Sequence, residues 1–307
     1  MPLAISTSWN AFRHKQALAI VDELKDLGFN AIELSFNLTP SIVKDIEKLV
    51  RNNKISVVSL HNYCPIPEGF NRVEALPDCL SLSSLDEEER VLAVKQTKHT
   101  IDNARKLAAR AVVLHCGRVE IADRTRDLIS LYQLGDKGSG TYKKIKQCFI
   151  QSREKQKKPF FENILRSLDE LNSYAIKCGI KLGVENRFYY REIPSWEEIG
   201  YILEKFKGSG VCYWHDVGHA QVMENLGFNS HIDFLNSYSR RMLGMHLHDI
   251  IGCQDHQAIG KGNLDLRHIT SYLPEDALRV VEIHGQAKAD EIKLSRSFLE
   301  EIFHGRS

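Results

Sequence analysis

Eight short segments rich in apolar and β-branched residues recur along the chain, and stretches with helical periodicity separate them. The segments are LAIST (3–7), AIELSF (31–36), ISVVSLHN (55–62), AVVLHCG (111–117), KLGVENR (181–187), VCYWHD (211–216), MLGMHLHD (242–249) and RVVEIHG (279–285). Most of the intervals are roughly 30 residues, the length of a βαβ unit. Eight such units predict an α/β fold, a (β/α)8 TIM barrel, in one domain over residues 1–307.

The alternative fold for alternating strands and helices is an open, doubly wound sheet. That fold is favoured by a glycine-rich dinucleotide-binding fingerprint after the first strand. Here the first predicted strand is followed by SWNAF, which contains no glycine. We therefore favour the closed barrel.

A basic insertion, residues 118–160, interrupts the alternation after the fourth predicted strand. It includes the lysine-rich stretch GDKGSGTYKKIKQCFIQSREKQKKP, and the helical stretch FFENILRSLDELNSYAIKC follows it. Charge runs of this kind are usually solvated, so we expect a solvent-exposed helix or a mobile loop. An anion-binding lid over the barrel mouth is the alternative.

The alternation within each predicted strand indicates which side chains point to the barrel axis. In KLGVENR the apolar Leu182 and Val184 should face the surrounding helices, which turns Glu185 inward. The same argument turns Asp216 inward and His215 outward, and it places Val58 on the outer face. The other ionisable residues predicted to point inward are Glu33, His61, His115, His246, His248 and Glu282.

The convergence of these groups near the strand ends predicts a divalent metal site. Isolated charges inside a barrel are costly unless they are paired or bind a metal. We predict Glu185, Asp216, His246 and Glu282 as the ligand set, with Glu33 either joining them or pairing with a basic neighbour. The surrounding histidines are His61, His115, His219, His248 and His256. Mixed carboxylate and imidazole ligands suit Mn or Zn best, with Co or Fe as further options.

The composition and net charge bear on the class of partner and leave the predicted fold and metal site unchanged. The net charge is +1, which gives the whole chain no general attraction to nucleic acid or to anionic membranes. The seven cysteines contain no C-x-x-C pair and are typical of reduced, mostly buried thiols. No apolar run approaches the roughly 18 residues that span a bilayer, and MPLAISTSWN does not look like a signal peptide. We expect a cytoplasmic protein with no membrane partner, either a monomer or a homo-oligomer.

The motifs GVENR, HDVGH, MHLHD, DHQAIGKGN and VVEI, in this order, resemble the xylose-isomerase-like TIM-barrel superfamily. This superfamily holds sugar isomerases and epimerases together with the class II apurinic-site endonucleases. The resemblance to the epimerase branch implies that Glu185, Asp216, His246 and Glu282 hold one divalent metal. It also implies that Glu185 and Glu282 transfer protons on opposite faces of the substrate and that His219 binds a substrate hydroxyl.

The resemblance to the endonuclease branch implies additional metal ligands. His61, His115, His219 and His256 match the extra histidines that carry a trinuclear zinc cluster in that branch. Gln254 stands where that branch has an aspartate two residues before the last of these histidines. A neutral amide is a poor substitute for an anionic zinc ligand, so the match favours fewer than three metals.

Two enzymatic hypotheses follow, and we favour the first. The first is a metal-dependent isomerase or epimerase of a sugar, sugar phosphate or polyol, which moves a proton through an enediolate between two glutamates. The second is a zinc-dependent phosphodiesterase acting on abasic DNA, with the basic insertion holding the backbone. A non-catalytic binding barrel is the third interpretation.

Three further residues are candidates for substrate contacts. Trp9 lies near the end of the first predicted strand, where it could form an aromatic wall. Arg187 and Lys261 are the candidate partners for a substrate phosphate, and Lys261 lies between two glycines after the seventh strand. Barrels often bind phosphate in that region through backbone N–H groups, although turn glycines are the simpler explanation.

Overall fold

Eight parallel strands close into a barrel in this computed structural model, which describes residues 1–305. The barrel strands are β1 (Leu3–Ser6), β2 (Ala31–Leu34), β3 (Ser56–His61), β4 (Ala111–Leu114), β5 (Lys181–Glu185), β6 (Val211–Asp216), β7 (Met242–Leu247) and β10 (Leu278–Val281). Their order around the barrel is β1-β10-β7-β6-β5-β4-β3-β2, and β1 pairs with both β2 and β10. The predicted TIM barrel is therefore confirmed; residues 306–307 of the predicted domain lie outside the described residues.

Helices lie between successive barrel strands and surround them. They are α1 (Ala17–Asp26), α2 (Pro40–Arg51), α3 (Glu87–Lys106), α4 (Thr125–Gln133), α5 (Gly140–Cys178), α6 (Trp196–Lys205), α7 (Val217–Asn225), α8 (His231–Tyr238), α9 (Leu266–Thr270) and α10 (Ala289–His304). Short 3-10 turns cover Thr7–Trp9, Ala11–Arg13 and Ser239–Arg241. No helix within residues 1–305 combines the length and the apolar character needed to cross a membrane.

The core has two layers, as the strand alternation predicts. An inner cluster includes Val113, Trp214 and Val280, whereas an outer cluster between strands and helices includes Val184 and Leu60. The outward prediction for Val58 is wrong, because Val58 packs in the inner cluster. The pairing register of β2 and β3 shifts by one residue beside Val58, and such a bulge moves one side chain to the other face.

The basic insertion contains two helices and does not form a mobile loop. Residues 140–160 and the helical stretch after them are one continuous helix, α5, of 39 residues. Ser139 caps its start by accepting the N–H of Tyr142, and Gly179 ends it in the left-handed conformation with φ of 70°. The insertion packs beside the barrel, and within the described chain it contributes no residue to the cavity at the strand ends.

A small hairpin after β7 was not predicted from the sequence. Strands β8 (Asp249–Ile251) and β9 (Gln254–Gln257) pair in antiparallel fashion outside the barrel. The buried carboxylate of Asp249 accepts the backbone N–H groups of Gly260 and Gly262 at 2.9 and 3.0 Å, which holds the following loop in place. The hairpin thereby brings Asp255 and His256 to the mouth of the barrel.

Candidate metal centre and active site

A cavity of about 280 Å³ opens at the carboxyl ends of the barrel strands. Active sites of TIM barrels form at this face, because the loops that follow the strands meet there. The cavity is lined by Phe36, His61, Pro77, Asp78, His115, Glu185, Arg187, Phe188, Tyr189, Glu192, His219, Asp255, His256, Glu282 and His284. A cavity of about 420 Å³ lies elsewhere, beside α7, α8 and α9, but the described part of the chain places no candidate metal-ligand group there.

Four predicted ligands converge at the base of the mouth cavity. Glu185, Asp216, His246 and Glu282 each offer one ligand atom, and these four atoms lie within 4.8 Å of one another. His246 Nδ1 is 2.7 Å from Glu185 Oε1, 2.9 Å from Glu282 Oε2 and 3.7 Å from Asp216 Oδ2. Three carboxylates therefore surround one imidazole nitrogen, and all four side chains are buried.

The electrostatics of this group fit a divalent cation. Burial raises the pKa of Asp216 to about 8, and its Oδ2 has no hydrogen-bond partner. Burial alone would lower the pKa of His246, but Glu282, Glu33 and Glu185 raise that pKa well above its usual value. Burial thus disfavours the ionised form of Asp216, and the carboxylates keep the His246 ring protonated. A metal ion at this point would supply the positive charge that ionised Asp216 needs and would take the place of the proton on His246.

A second group joins His61 and His115 to Glu185. His115 Nε2 lies 3.0 Å and His61 Nε2 lies 4.0 Å from Glu185 Oε2. On its other side, His115 Nδ1 is 3.0 Å from Asp78 Oδ1. Burial and Arg187 lower the pKa of His115, but the carboxylates of Asp78 and Glu185 outweigh them and raise it to about 9. Asp78 was not predicted, because it lies in the long loop between β3 and α3, outside any periodic segment.

A third group contains Asp216, His219 and His256. Asp255, next to His256, places its Oδ2 3.6 Å from His219 Nε2 and 3.5 Å from His256 Nε2. Gln254 stands at the position where the endonuclease branch has an aspartate, and its side chain is exposed. The carboxylate near this group therefore comes from the neighbouring residue, which the strand alternation could not indicate because the hairpin was not predicted.

In each of five histidines, one ring nitrogen forms a hydrogen bond with an oxygen atom, and the other ring nitrogen faces the candidate metal-ligand groups. The held contacts are His61 Nδ1 to Asn62 O (3.1 Å), His115 Nδ1 to Asp78 Oδ1 (3.0 Å), His219 Nδ1 to Asn186 O (3.0 Å), His256 Nδ1 to Glu282 O (2.9 Å) and His246 Nε2 to Glu33 Oε1 (3.1 Å). Carbonyl and carboxylate oxygens only accept, so the held nitrogen carries the hydrogen. This arrangement orients histidines that bind metals or substrates.

Three further histidines differ from these five: His284 lines the cavity with its ring stacked on that of His256, at a centroid distance of 3.9 Å, and the other two are His248 and His215. His248 is fully buried, neither of its nitrogens has a hydrogen-bond partner, and its Nε2 lies 3.5 Å from Asp216 Oδ1. His215 points away from the cavity, as predicted, with Nδ1 2.6 Å from the Tyr213 hydroxyl and Nε2 3.0 Å from His231 Nε2. His215 is therefore part of the packing between β6 and α8.

The three other candidate substrate residues occupy different positions. Arg187 lines the cavity and donates to Glu185 Oε2 at 2.7 Å. Lys261 is half-exposed outside the cavity lining, and its ammonium lies 2.7 Å from Glu291. Trp9 is buried in the outer core, and its indole N–H donates to the Ala287 carbonyl at 2.9 Å.

A family model described as xylose isomerase-like TIM barrel matches residues 21–302. No curated protein sequence matches the chain.

Among solved structures, the chain is similar to an L-ribulose 3-epimerase, with 17% identity, a TM-score of 0.69 and coverage of 99% of this chain and 95% of that one. It is also similar to a D-allulose 3-epimerase from Methylomonas sp., with 13% identity, a TM-score of 0.68 and coverage of 98% of both chains. A third structure is the IOLI protein with a bound zinc atom, with 13% identity, a TM-score of 0.67 and coverage of 98% of both chains. At these identities the likeness establishes the barrel fold.

Proposed function

The chain belongs to the xylose isomerase-like TIM barrel family, and on that premise we propose that it is a divalent-metal-dependent sugar isomerase or epimerase. The observation that carries the proposal is the approach of Glu185 Oε1 and Glu282 Oε2 to one nitrogen of His246, with Asp216 beside them. The similarity of the fold to an L-ribulose 3-epimerase and a D-allulose 3-epimerase supports this choice.

Glu185, Asp216, His246 and Glu282 would hold the metal, with Mn or Zn as the ions that best suit this donor set. When bound, the ion supplies Lewis-acid stabilisation of negative charge on the carbonyl and hydroxyl oxygens of a sugar. The unpartnered Asp216 Oδ2 and the crowding of carboxylates around His246 support this fit.

The two glutamates would move the proton between adjacent carbon atoms. They lie at the ends of β5 and β10, which β6 and β7 separate in the barrel, so they approach a bound sugar from different sides. Burial raises the pKa of Glu185, but hydrogen bonds from His115 and His246 outweigh burial and hold it well below its usual value. A carboxylate held in this ionised state can accept a proton from the carbon next to a carbonyl.

The charges at the cavity favour an unphosphorylated sugar or polyol over a sugar phosphate. Arg187 is the single lysine or arginine among the lining residues, and it already contacts Glu185 and Glu192. The lining carboxylates are Asp78, Glu185, Glu192, Asp255 and Glu282. The N–H groups of Gly260 and Gly262, which could have bound a phosphate, donate to Asp249 instead.

A second candidate function is a metal-dependent phosphodiesterase acting on abasic DNA. The observation in its favour is the presence of three potential metal groups: the four-residue group shares Glu185 with the group of His61 and His115, and it shares Asp216 with the group of His219 and His256. Several ions in contact would offset the carboxylate charge and admit a phosphodiester. The lack of an insertion residue in the cavity lining, among the residues described, argues for the sugar reaction.

The test is metal analysis of the purified protein followed by proton exchange on a panel of sugars, with and without a chelator. We expect about one Mn or Zn per chain, and exchange at the carbon beside the carbonyl that chelation abolishes. Glu185→Gln and Glu282→Gln should each lower kcat at least about 100-fold, since general acid–base groups contribute that much. Glu162→Gln, on the exposed surface of α5, is the matched control.

Two results would contradict the proposal. One is a protein that binds no metal and retains its activity in the chelator. The other is sugar turnover that persists in both glutamine variants. Nicking of an abasic duplex at low enzyme concentration, together with two or three metals per chain, would support the phosphodiesterase instead.

A further inference from the structure

Glu33 is a fully buried carboxylate in the barrel interior, below the proposed metal site. Its Oε1 and Oε2 lie 3.1 and 3.3 Å from His246 Nε2. The hydroxyl of Ser59 donates to Oε2 at 2.7 Å, and Ser59 is the register partner of Glu33 in the neighbouring strand β3. A carboxylate buried this completely is costly unless it accepts strong hydrogen bonds, and His246 is its charged donor.

The contact reaches across the barrel. Glu33 is on β2 and His246 is on β7, and β1 and β10 lie between these two strands on the shorter path around the barrel. The two residues are 213 positions apart in the sequence. Both ring nitrogens of His246 therefore face carboxylates: Nε2 faces Glu33, and Nδ1 faces Glu185 and Glu282.

We propose that Glu33 is a positioning residue that holds His246 with its Nε2 hydrogen toward the barrel interior and its Nδ1 lone pair toward the metal. The inference rests on the metal site of the proposed function. A carboxylate that accepts the far N–H of a metal-bound imidazole fixes the orientation of the ring and increases the basicity of the ligating nitrogen. Glu33 itself stays out of reach of the metal, because the imidazole ring lies between them.

Metal affinity of the full-length protein tests this role. Mn and Zn dissociation constants are measured by competition with a chelator for wild type, Glu33→Gln and Glu33→Leu. Glu33→Gln keeps the shape and removes the charge, and Glu33→Leu also removes the acceptor. Loss of such a partner weakens metal binding about 10- to 100-fold, and we expect both variants to fall in that range.

Leu278→Ala is the control for a general disturbance of the barrel interior. Leu278 belongs to the inner cluster and begins β10, at the opposite end of that strand from Glu282, so its truncation should lower the unfolding temperature and leave the metal affinity within about twofold. Wild-type protein that binds no metal would contradict the proposed function. Wild-type binding with unchanged affinity in both Glu33 variants would overturn the role of Glu33 alone.

A second measurement needs no variant at Glu33. In zinc-loaded protein with ¹⁵N-labelled histidine, the ring nitrogen shifts of His246 report which nitrogen carries the hydrogen. We expect a hydrogen on Nε2 that exchanges slowly with solvent and an unprotonated Nδ1. A hydrogen on Nδ1, with Nε2 bound to the metal, would overturn the proposal.

Discussion

At the scale of single residues, the segment from Asp216 to His219 joins the candidate metal site to a helix start. Asp216 Oδ1 accepts the N–H of His219 at 2.7 Å and caps α7, which leaves Oδ2 facing the other ligands. Gly218 lies between these two residues, and His248 packs directly against it. The placement of Asp216 and His219 therefore depends on glycine at position 218.

Gly218→Ala should weaken metal binding. A Cβ at this position would overlap His248 Nε2 and lie 2.9 Å from Asp255 Cβ, so α7 or the hairpin must shift. We expect at least about a tenfold weaker Mn or Zn affinity, because ligands must keep their geometry closely. Gly140→Ala, at a position with open space, is the control and should bind metal as wild type does. An unchanged metal affinity in Gly218→Ala would contradict the prediction, because it would show that His248 and Asp255 can move aside without disturbing the candidate ligands.

At the scale of elements, α5 shows that a lysine-rich stretch can contain a buried anchor. Arg153, within the basic insertion, is almost fully buried, and its guanidinium donates to both oxygens of Glu198 at 3.0 and 2.7 Å. It also donates to the Glu192 carbonyl at 2.9 Å, in the loop that lines the cavity. The insertion therefore supports the cavity-lining loop from its outer side.

Arg153→Met should destabilise the protein by about 3–5 kcal/mol, because it leaves the Glu198 carboxylate buried without its cation. The free energy of unfolding from urea denaturation measures this effect. Lys158→Ala, on the exposed side of the same helix, should change it by less than about 0.5 kcal/mol. Equal free energies of unfolding for the two variants would show that the ion pair does not anchor α5.

At the scale of the whole molecule, the pKa of each buried histidine depends on the balance between burial and neighbouring carboxylates. Burial lowers the pKa of His231 to about 4, and it also lowers the pKa of His215 and His248 well below the usual value. His115 and His256, beside carboxylates, have pKa values raised to about 9. Burial also lowers the pKa of three histidines that line the cavity, His61, His219 and His284, so protonated and neutral imidazoles lie side by side there.

His231→Gln should reduce the loss of stability in mild acid. Since the pKa of His231 is lowered to about 4, the unfolded chain binds its proton first as the pH falls below about 6.5. His231 therefore lowers the free energy of unfolding by on the order of 3 kcal/mol as the pH falls from 6.5 to 4. The variant should not show this decrease. Denaturation at pH 7 and pH 4.5 measures the difference, with the exposed His99→Gln as control. An identical pH dependence in wild type and His231→Gln would contradict this assignment.

The sequence by itself determined the barrel and most of the convergent residues. Strand alternation is a local property, so the inward positions of Glu185, Asp216, His246 and Glu282 could be predicted from their own segments. The positions that failed lie where regular alternation stops. Val58 turned inward at a bulge, and Asp255 reached the cavity through a hairpin with no periodic signal.

Only the tertiary structure decided which groups touch. The pairing of Glu33 with His246 and of Asp78 with His115 depends on closure of the barrel and on the path of a long loop. The tertiary structure also decided the contacts of Lys261. Asp249 accepts the backbone N–H groups of the flanking glycines, and the Lys261 ammonium pairs with Glu291. Periodicity predicts the direction of a side chain along its own strand, whereas a partner far away in the chain is set by how the strands and loops pack.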